Sequence, residues 1–191
     1  CYKKLNMSKK NSSVILKNCF KSSGELSKIY ENFKNKLDKQ KKKSYIAAIS
    51  GGPDSLALAA LLKAYSFERK VKLYFVLINH NIRKNSSREA SQVKKLLMKH
   101  KLKLLILNNK FKINKNIQGQ ARNMRYKMLI NFCKKKKIKT LLTAHNLEDQ
   151  VETFFIRLSR GSGLTGLSAM KPLSKLNSSI GLFRPLLDVK K

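Results

Sequence analysis

Ser50-Gly51-Gly52-Pro53-Asp54-Ser55 lies between an apolar run, Tyr45-Ile46-Ala47-Ala48-Ile49, and an apolar helical pattern from Leu56 to Leu62. The order reads as a strand, a glycine turn and the first turn of a helix. Two adjacent glycines remove the side chains that would hold an oxyanion away from the backbone. The first helical turn adds unpaired N–H groups at the positive end of the helix dipole. The stretch is expected to cradle phosphate. An ordinary strand-to-helix turn capped by Asp54 or Ser55 is the plainer alternative. Neither GxxxxGK[ST] nor GxGxxG spacing is present, which disfavours the Walker-loop NTPases and the dinucleotide oxidoreductases.

Outward from that turn, strand and helix patterns alternate. Val71–Ile78 reads as a continuous apolar strand, Ser87–Lys99 as a helix, Leu102–Leu107 as a strand and Ile117–Lys135 as a helix. Lys139–Thr143 reads as a strand and Leu147–Ser159 as a helix. Alternation at this element length predicts an α/β fold: a doubly wound, mainly parallel sheet with helices on both faces. Ligands of such sheets bind beyond the carboxyl ends of the strands. Ser50–Ser55, Asn79-His80 and His145 each follow a predicted strand, so all three are expected along one edge. The segment from Gly161 to the end, rich in glycine and proline, reads as loops with short elements.

On a helical wheel, Val151, Phe154, Phe155 and Leu158 form one apolar stripe, with His145, Asp149, Glu152 and Arg160 near the opposite side. The acids are thus expected to point away from the core, either into a ligand site or simply toward solvent at the favourable end of the dipole. Asp54 with these carboxylates suits Mg²⁺, which takes one or two carboxylates together with phosphate oxygens and water. In the preceding helix, Ile117, Ala121, Met124, Met128 and Phe132 are expected to be buried, flanked by Arg122, Arg125 and Tyr126.

Of 191 residues, 43 are basic and 10 acidic, a formal charge of +33. Such a field attracts polyanions. The excess is mostly lysine and accompanies many asparagines, a pairing that an A/T-rich coding sequence also produces, so charge alone favours nucleic acid weakly. The rarer charges carry more: Asp54, Glu148, Asp149 and Glu152 are four of the 10 acids, and Arg122, Arg125, Arg157, Arg160 and Arg184 fall in the later motifs. An arginine fork matched to phosphate is harder to replace than a solvated lysine.

Cys1, Cys19 and Cys133 show no metal-ligand spacing, and their odd number argues against a disulfide framework, in keeping with a reducing compartment. No apolar run approaches the ~20 residues that span a bilayer. Residues 1–43 read as a basic lead-in with one amphipathic helix near Glu25–Asp38, and 44–191 as the main domain. The start at Cys1 suggests a fragment, with Met7 an alternative initiator. A cytoplasmic location is expected, or an organelle matrix or stroma if residues 1–23 are a transit segment.

Ser50–Ser55 at the end of a first strand resembles the pyrophosphate loop of the N-type ATP pyrophosphatases, which split ATP into AMP and pyrophosphate while activating a carbonyl oxygen. Four further motifs follow: Asn79-His80-Asn81-Ile82-Arg83; Ala121-Arg122-Asn123-Met124-Arg125-Tyr126; Thr143-Ala144-His145-Asn146-Leu147-Glu148-Asp149-Gln150-Val151-Glu152-Thr153; and Arg157-Leu158-Ser159-Arg160-Gly161-Ser162-Gly163-Leu164. Their order is similar to that of the tRNA(Ile)-lysidine synthetase family, over about Tyr45 to Leu187. Glu148 replaces the commoner aspartate.

The resemblance implies an adenine nucleotide alpha hydrolase-like, Rossmann-like catalytic domain over 44–191, without the family's C-terminal tRNA-binding domains. It implies ATP held by Ser50, Gly51, Gly52, Pro53, Asp54, Ser55, Asn79, His80 and Arg122, with Mg²⁺ at Asp54 and Asp149. Catalysis would fall to Asp54, Asp149, Glu152, His145 and Arg125, and tRNA contacts to Arg157 and Arg160. The implied partners are tRNA(Ile) with a CAU anticodon and free L-lysine, with no membrane; a homodimer stays open. A tRNA thiolase sharing the adenylation half-reaction and a non-catalytic basic RNA-binding fragment are the rival readings.

Overall fold

The computed structural model describes residues 24–82, 85–109, 117–163 and 166–190, side chains at 117 and 118 excepted. The expectations placed on residues 1–23, Arg83 and Leu164 fall outside the described residues. Helix α1 (Gly24–Gln40) precedes β1 (Ser44–Ala48), α2 (Pro53–Glu68), β2 (Lys72–Asn79), α3 (Ser86–Lys99) and β3 (Leu104–Asn108). There follow α4 (Ile117–Lys136), β4 (Thr140–Leu142), α5 (Leu147–Ser159), β5 (Leu173–Lys175) and β6 (Gly181–Phe183). The six strands lie in the order β3-β2-β1-β4-β6-β5. All neighbours are parallel except β5 and β6.

The expected α/β sheet with helices on both faces is present, and its strands are apolar because both faces are covered. Alternation assigns the faces. Tyr45, Ala47, Phe75, Leu77, Leu142 and Phe183 pack beneath α1, α2 and α3. Ile46, Val76, Leu141 and Leu182 pack beneath Leu129 and Cys133 of α4. Tyr30, Phe33 and Leu37 bring α1 into the first of these cores. Ion pairs add to that contact: Lys34 to Glu68 at 2.9 Å, Arg69 to Asp38 at 2.9 Å, and Lys36 to Asp188.

Two helix faces differ from expectation. On α4 the sheet is met by Leu129 and Cys133, with Tyr126, Ile130 and Phe132 alongside, rather than by Ala121, Met124 and Met128. Apolar residues surround this helix, so periodicity alone selects no single face. On α5 the stripe of Val151, Phe154, Phe155 and Leu158 is turned outward at 49, 42, 60 and 50 % exposure, and no residue of the helix is buried. Helix α5 leaves the carboxyl end of β4, and among the described residues no strand packs beneath it. It is held instead at points: Leu147 N–H donates to Val189 O at 3.0 Å, and Gln150 pairs with Met170.

The stretch expected as loops with short elements holds the hairpin β5–β6. Its turn is closed by Asn177, whose Oδ1 accepts from the N–H groups of Ser179 and Ile180 at 2.9 and 2.8 Å, an asparagine turn of the usual kind. No described helix is long and apolar enough to cross a membrane.

Chain order reverses at β1, which has β2 on one side and β4 on the other. The crevice at such a reversal is where open α/β sheets bind ligands. Because α1 belongs to the main core, Phe33→Ala, at a side chain only 1 % exposed, is expected to lower the unfolding free energy by about 3–5 kcal/mol in urea titrations followed by circular dichroism.

Candidate active site

The ends of β1, β2 and β4 open into one cavity of about 340 Å³. Ser50, Gly52, Asp54 and Ser55 line it from the first turn, His80 from the end of β2, and Thr143, Ala144 and His145 from the end of β4. Arg125 and Tyr126 enter from α4 and Asp149 from α5, over an apolar floor of Ala48, Val76, Ile78 and Leu129. The three strand-end segments therefore converge, as the strand pattern predicts.

In the turn itself, Gly51 has φ +93°, and a β-carbon there would stand 2.6 Å from Val93 Cγ2 of α3. Only glycine combines that conformation with that approach. Gly52 is the N-cap of α2 with Pro53 in the first turn, and no side chain caps the helix. The Ser55 hydroxyl oxygen accepts from Ser50 N–H at 3.3 Å and Gly51 N–H at 3.1 Å, while its proton goes to Gly52 O at 2.8 Å. Two main-chain donors thus converge on one oxygen, the arrangement by which successive amides hold an oxyanion.

Burial, then Arg184, holds the His145 imidazole below its ordinary pKa; Asp149 opposes this and Arg122 and Arg125 add to it. Its Nδ1 lies 2.9 Å from Thr143 Oγ1. His80 is lowered by burial and then by Arg125, and its buried Nδ1 has no hydrogen-bond partner among the described residues. Both rings are neutral at neutral pH. Asp149 closes a capping box: its Oδ2 accepts from Asn146 N–H at 2.9 Å, and its own N–H donates to Asn146 Oδ1 at 3.0 Å. It fixes the start of α5 and faces the cavity at once. Arg125 and Arg122 lie 5.7 and 5.6 Å from the Tyr126 ring centre, within cation–π range.

Several expected site residues lie elsewhere. Asn79 is buried outside the cavity, its Nδ2 donating to Ser87 Oγ and Asn108 Oδ1 and its Oδ1 accepting from Asn81 N–H. Its hydrogen-bonding capacity goes into the turn after β2. Gly51 and Pro53 shape the loop without lining the space. Arg122 is exposed at the rim, and Glu152 is exposed one turn beyond Asp149. Arg157 Nη1 donates to Gly166 O at 3.1 Å and to Ser168 O, which ties it to its own chain; Arg160 is exposed at the end of α5.

Arg184, one of eight arginines, interrupts an apolar run; the sequence marks it with Arg122, Arg125, Arg157 and Arg160 as a better contact candidate than any lysine, without placing it in the ATP or catalytic set. It is 8 % exposed at the end of β6. Its Nη1 donates to Lys171 O at 2.8 Å and Ser174 Oγ at 3.0 Å, and its Nε has no partner among the described residues. Among the described residues no cluster of three or more His, Cys, Asp or Glu could hold a metal ion.

A family model described as a PP-loop domain matches residues 25–191. The chain belongs to the PP-loop family. Among curated relatives, this PP-loop chain is 46 % identical to a tRNA(Ile)-lysidine synthase of Wolbachia pipientis wMel over 147 residues, 74 % of this chain and 33 % of that protein. It is 41 % identical to another from Orientia tsutsugamushi over 145 residues, 75 and 32 % of the two chains. The chain therefore spans about a third of the length of these relatives. Among solved structures, the U34-tRNA thiolase NcsA of Methanococcus maripaludis, determined with its [4Fe-4S] cluster, shares the fold with a TM-score of 0.71 at 20 % identity. The match covers 92 % of this chain and 62 % of that one.

Gly51→Ala is expected to weaken pyrophosphate binding by about tenfold or more in calorimetric titration, since a strained positive φ costs on the order of 1–3 kcal/mol. The far-ultraviolet spectrum should stay unchanged. In proton NMR, His145 should titrate below the ordinary histidine value, and Arg184→Gln should move it upward by removing a neighbouring positive charge.

Proposed function

We propose that this PP-loop domain uses ATP to join lysine to the wobble cytidine of a tRNA(Ile) with a CAU anticodon, forming lysidine. The observation that carries the reading is the single cavity in which the glycine turn, Asp54, Asp149 and Arg125 meet. The lysidine-synthase names of the relatives direct that chemistry to this product. The uncapped start of α2 and the amides gathered on Ser55 suit the triphosphate, which would take the place of the hydroxyl oxygen. The apolar floor of Ala48, Val76, Ile78 and Leu129 suits the flat face of adenine.

Asp54 and Asp149 would hold Mg²⁺, with the remaining ligands drawn from phosphate and water. When bound, the ion neutralises charge on the phosphate oxygens. The cytidine 2-oxo group attacks the α-phosphorus and pyrophosphate leaves. The lysine ε-amine then adds to the activated carbon, AMP departs with the former 2-oxygen, and a proton is released. Arg125 stabilises charge on the phosphoryl group, and the protein's part is positioning and neutralisation rather than covalent catalysis. Neutral His145 is available beside Asp149 to exchange a proton with the amine.

Sulfur transfer is the weaker reading. Cys133, the cysteine among the described residues, is buried in the core under α4, and burial pushes its thiol up to about 11. It is far from the thiolate form that sulfur chemistry needs.

Full-length protein given ATP, Mg²⁺, lysine and tRNA(Ile) should yield lysidine by mass after nuclease digestion; sulfur incorporation without lysine would overturn the assignment. Asp54→Ala should abolish pyrophosphate release. Asp149→Ala should cut turnover by about a hundredfold or more, with tRNA affinity in filter binding within about twofold. Equal losses in both would remove Asp149 from the chemistry.

A further inference from the structure

Three side chains, two from α5 and one from the end of β6, converge on one short backbone segment. Gln150 treats Met170 as a neighbouring strand would: its Nε2 donates to Met170 O at 3.1 Å, and its Oε1 accepts from Met170 N–H at 2.6 Å. Arg157 donates to Gly166 O at 3.1 Å and to Ser168 O. Arg184 donates to Lys171 O at 2.8 Å. Four carbonyls between Gly166 and Lys171 are thereby held by one amide and two guanidinium groups, a dense investment for an exposed stretch.

The placement of these residues gives the segment a purpose. Gln150 follows Asp149, which lines the cavity, and Arg184 follows β6, the strand beside β4. Arg184 is also close enough to His145 of the cavity to lower its pKa, so residues 166–171, which do not themselves line the cavity, are tied to groups next to its β4 side. The apolar floor draws Ala48, Val76 and Ile78 from β1 and β2 and suits the nucleotide base, which leaves the β4–β6 side for the acceptor of the phosphoryl group.

We propose that residues 166–171 form a fixed wall that orients the acceptor, and that Gln150, Arg157 and Arg184 are positioning residues for that wall. That the acceptors are a tRNA base and lysine rests on the lysidine reading above.

The test uses the full-length protein with Gln150→Glu, which keeps the shape and the bond from Met170 N–H but loses the donor to Met170 O. Arg157→Ala accompanies it, with Arg157→Lys as the conservative control. Amide hydrogen exchange at 166–171 should accelerate by about tenfold in Gln150→Glu and Arg157→Ala. The KM values for tRNA and lysine should rise about fivefold or more while that for ATP stays within about twofold, and Arg157→Lys should recover most of the loss. A parallel rise in the ATP KM, or faster exchange with unchanged acceptor KM values, overturns the proposal. If the wild-type protein makes no lysidine, the proposed function fails instead; the wall is then judged by anisotropy with an anticodon stem-loop RNA, where a loosened segment with unaltered RNA affinity overturns it.

Discussion

The contact between Gly51 and Val93 constrains the rest of the site. A turn with φ +93° and no room for a β-carbon sends the chain from β1 into α2 so that the helix starts beneath the cavity. Helix α3 closes the turn from behind, and the same helix packs on the sheet through Ala90 and Leu97. The hydrophobic core thus sets the loop geometry directly. A bound oxyanion meets donors already in place, and ordering them costs little at the moment of binding.

Much of the fold is legible in the sequence because a parallel sheet buried on both faces writes itself as unbroken apolar runs. Val71–Ile78 and Tyr45–Ile49 needed no partner information to be read as strands. Legibility fails where neighbours decide. Residues Leu173–Lys175 and Gly181–Phe183 become strands because β4 offers a free edge, a fact absent from their local pattern. Helix α4 carries apolar side chains on every side, and the position of the sheet rather than periodicity selects Leu129 and Cys133. On α5 the stripe is plain in sequence, yet a stripe says only that a face is apolar and is silent on what lies against it.

The site was legible in proportion to how far its residues act through backbone or position. The glycine turn, His80, His145, Asp149 and Arg125 reach the cavity because each follows a strand or faces its end. Asn79, also at a strand end, is used up by Ser87, Asn108 and Asn81, partners that no spacing rule reveals. Arg157, for which the family resemblance implies a tRNA contact, spends Nη1 on Gly166 O and Ser168 O of its own chain. The acids divide similarly. Asp38, Glu68 and Asp188 tie α1 to the body, whereas Asp54 and Asp149 sit at the cavity.

The outward stripe on α5 sits on a body carrying a formal charge of +33. Two such bodies repel over a Debye length of about 10 Å in 0.1 M salt, and over about 3 Å in 1 M salt. Electrostatic repulsion therefore opposes contact through this face: added electrolyte shortens its range and leaves the apolar ridge of Val151, Phe154, Phe155 and Leu158 in place. Such a surface is expected to self-associate more readily as salt rises and less readily in dilute buffer.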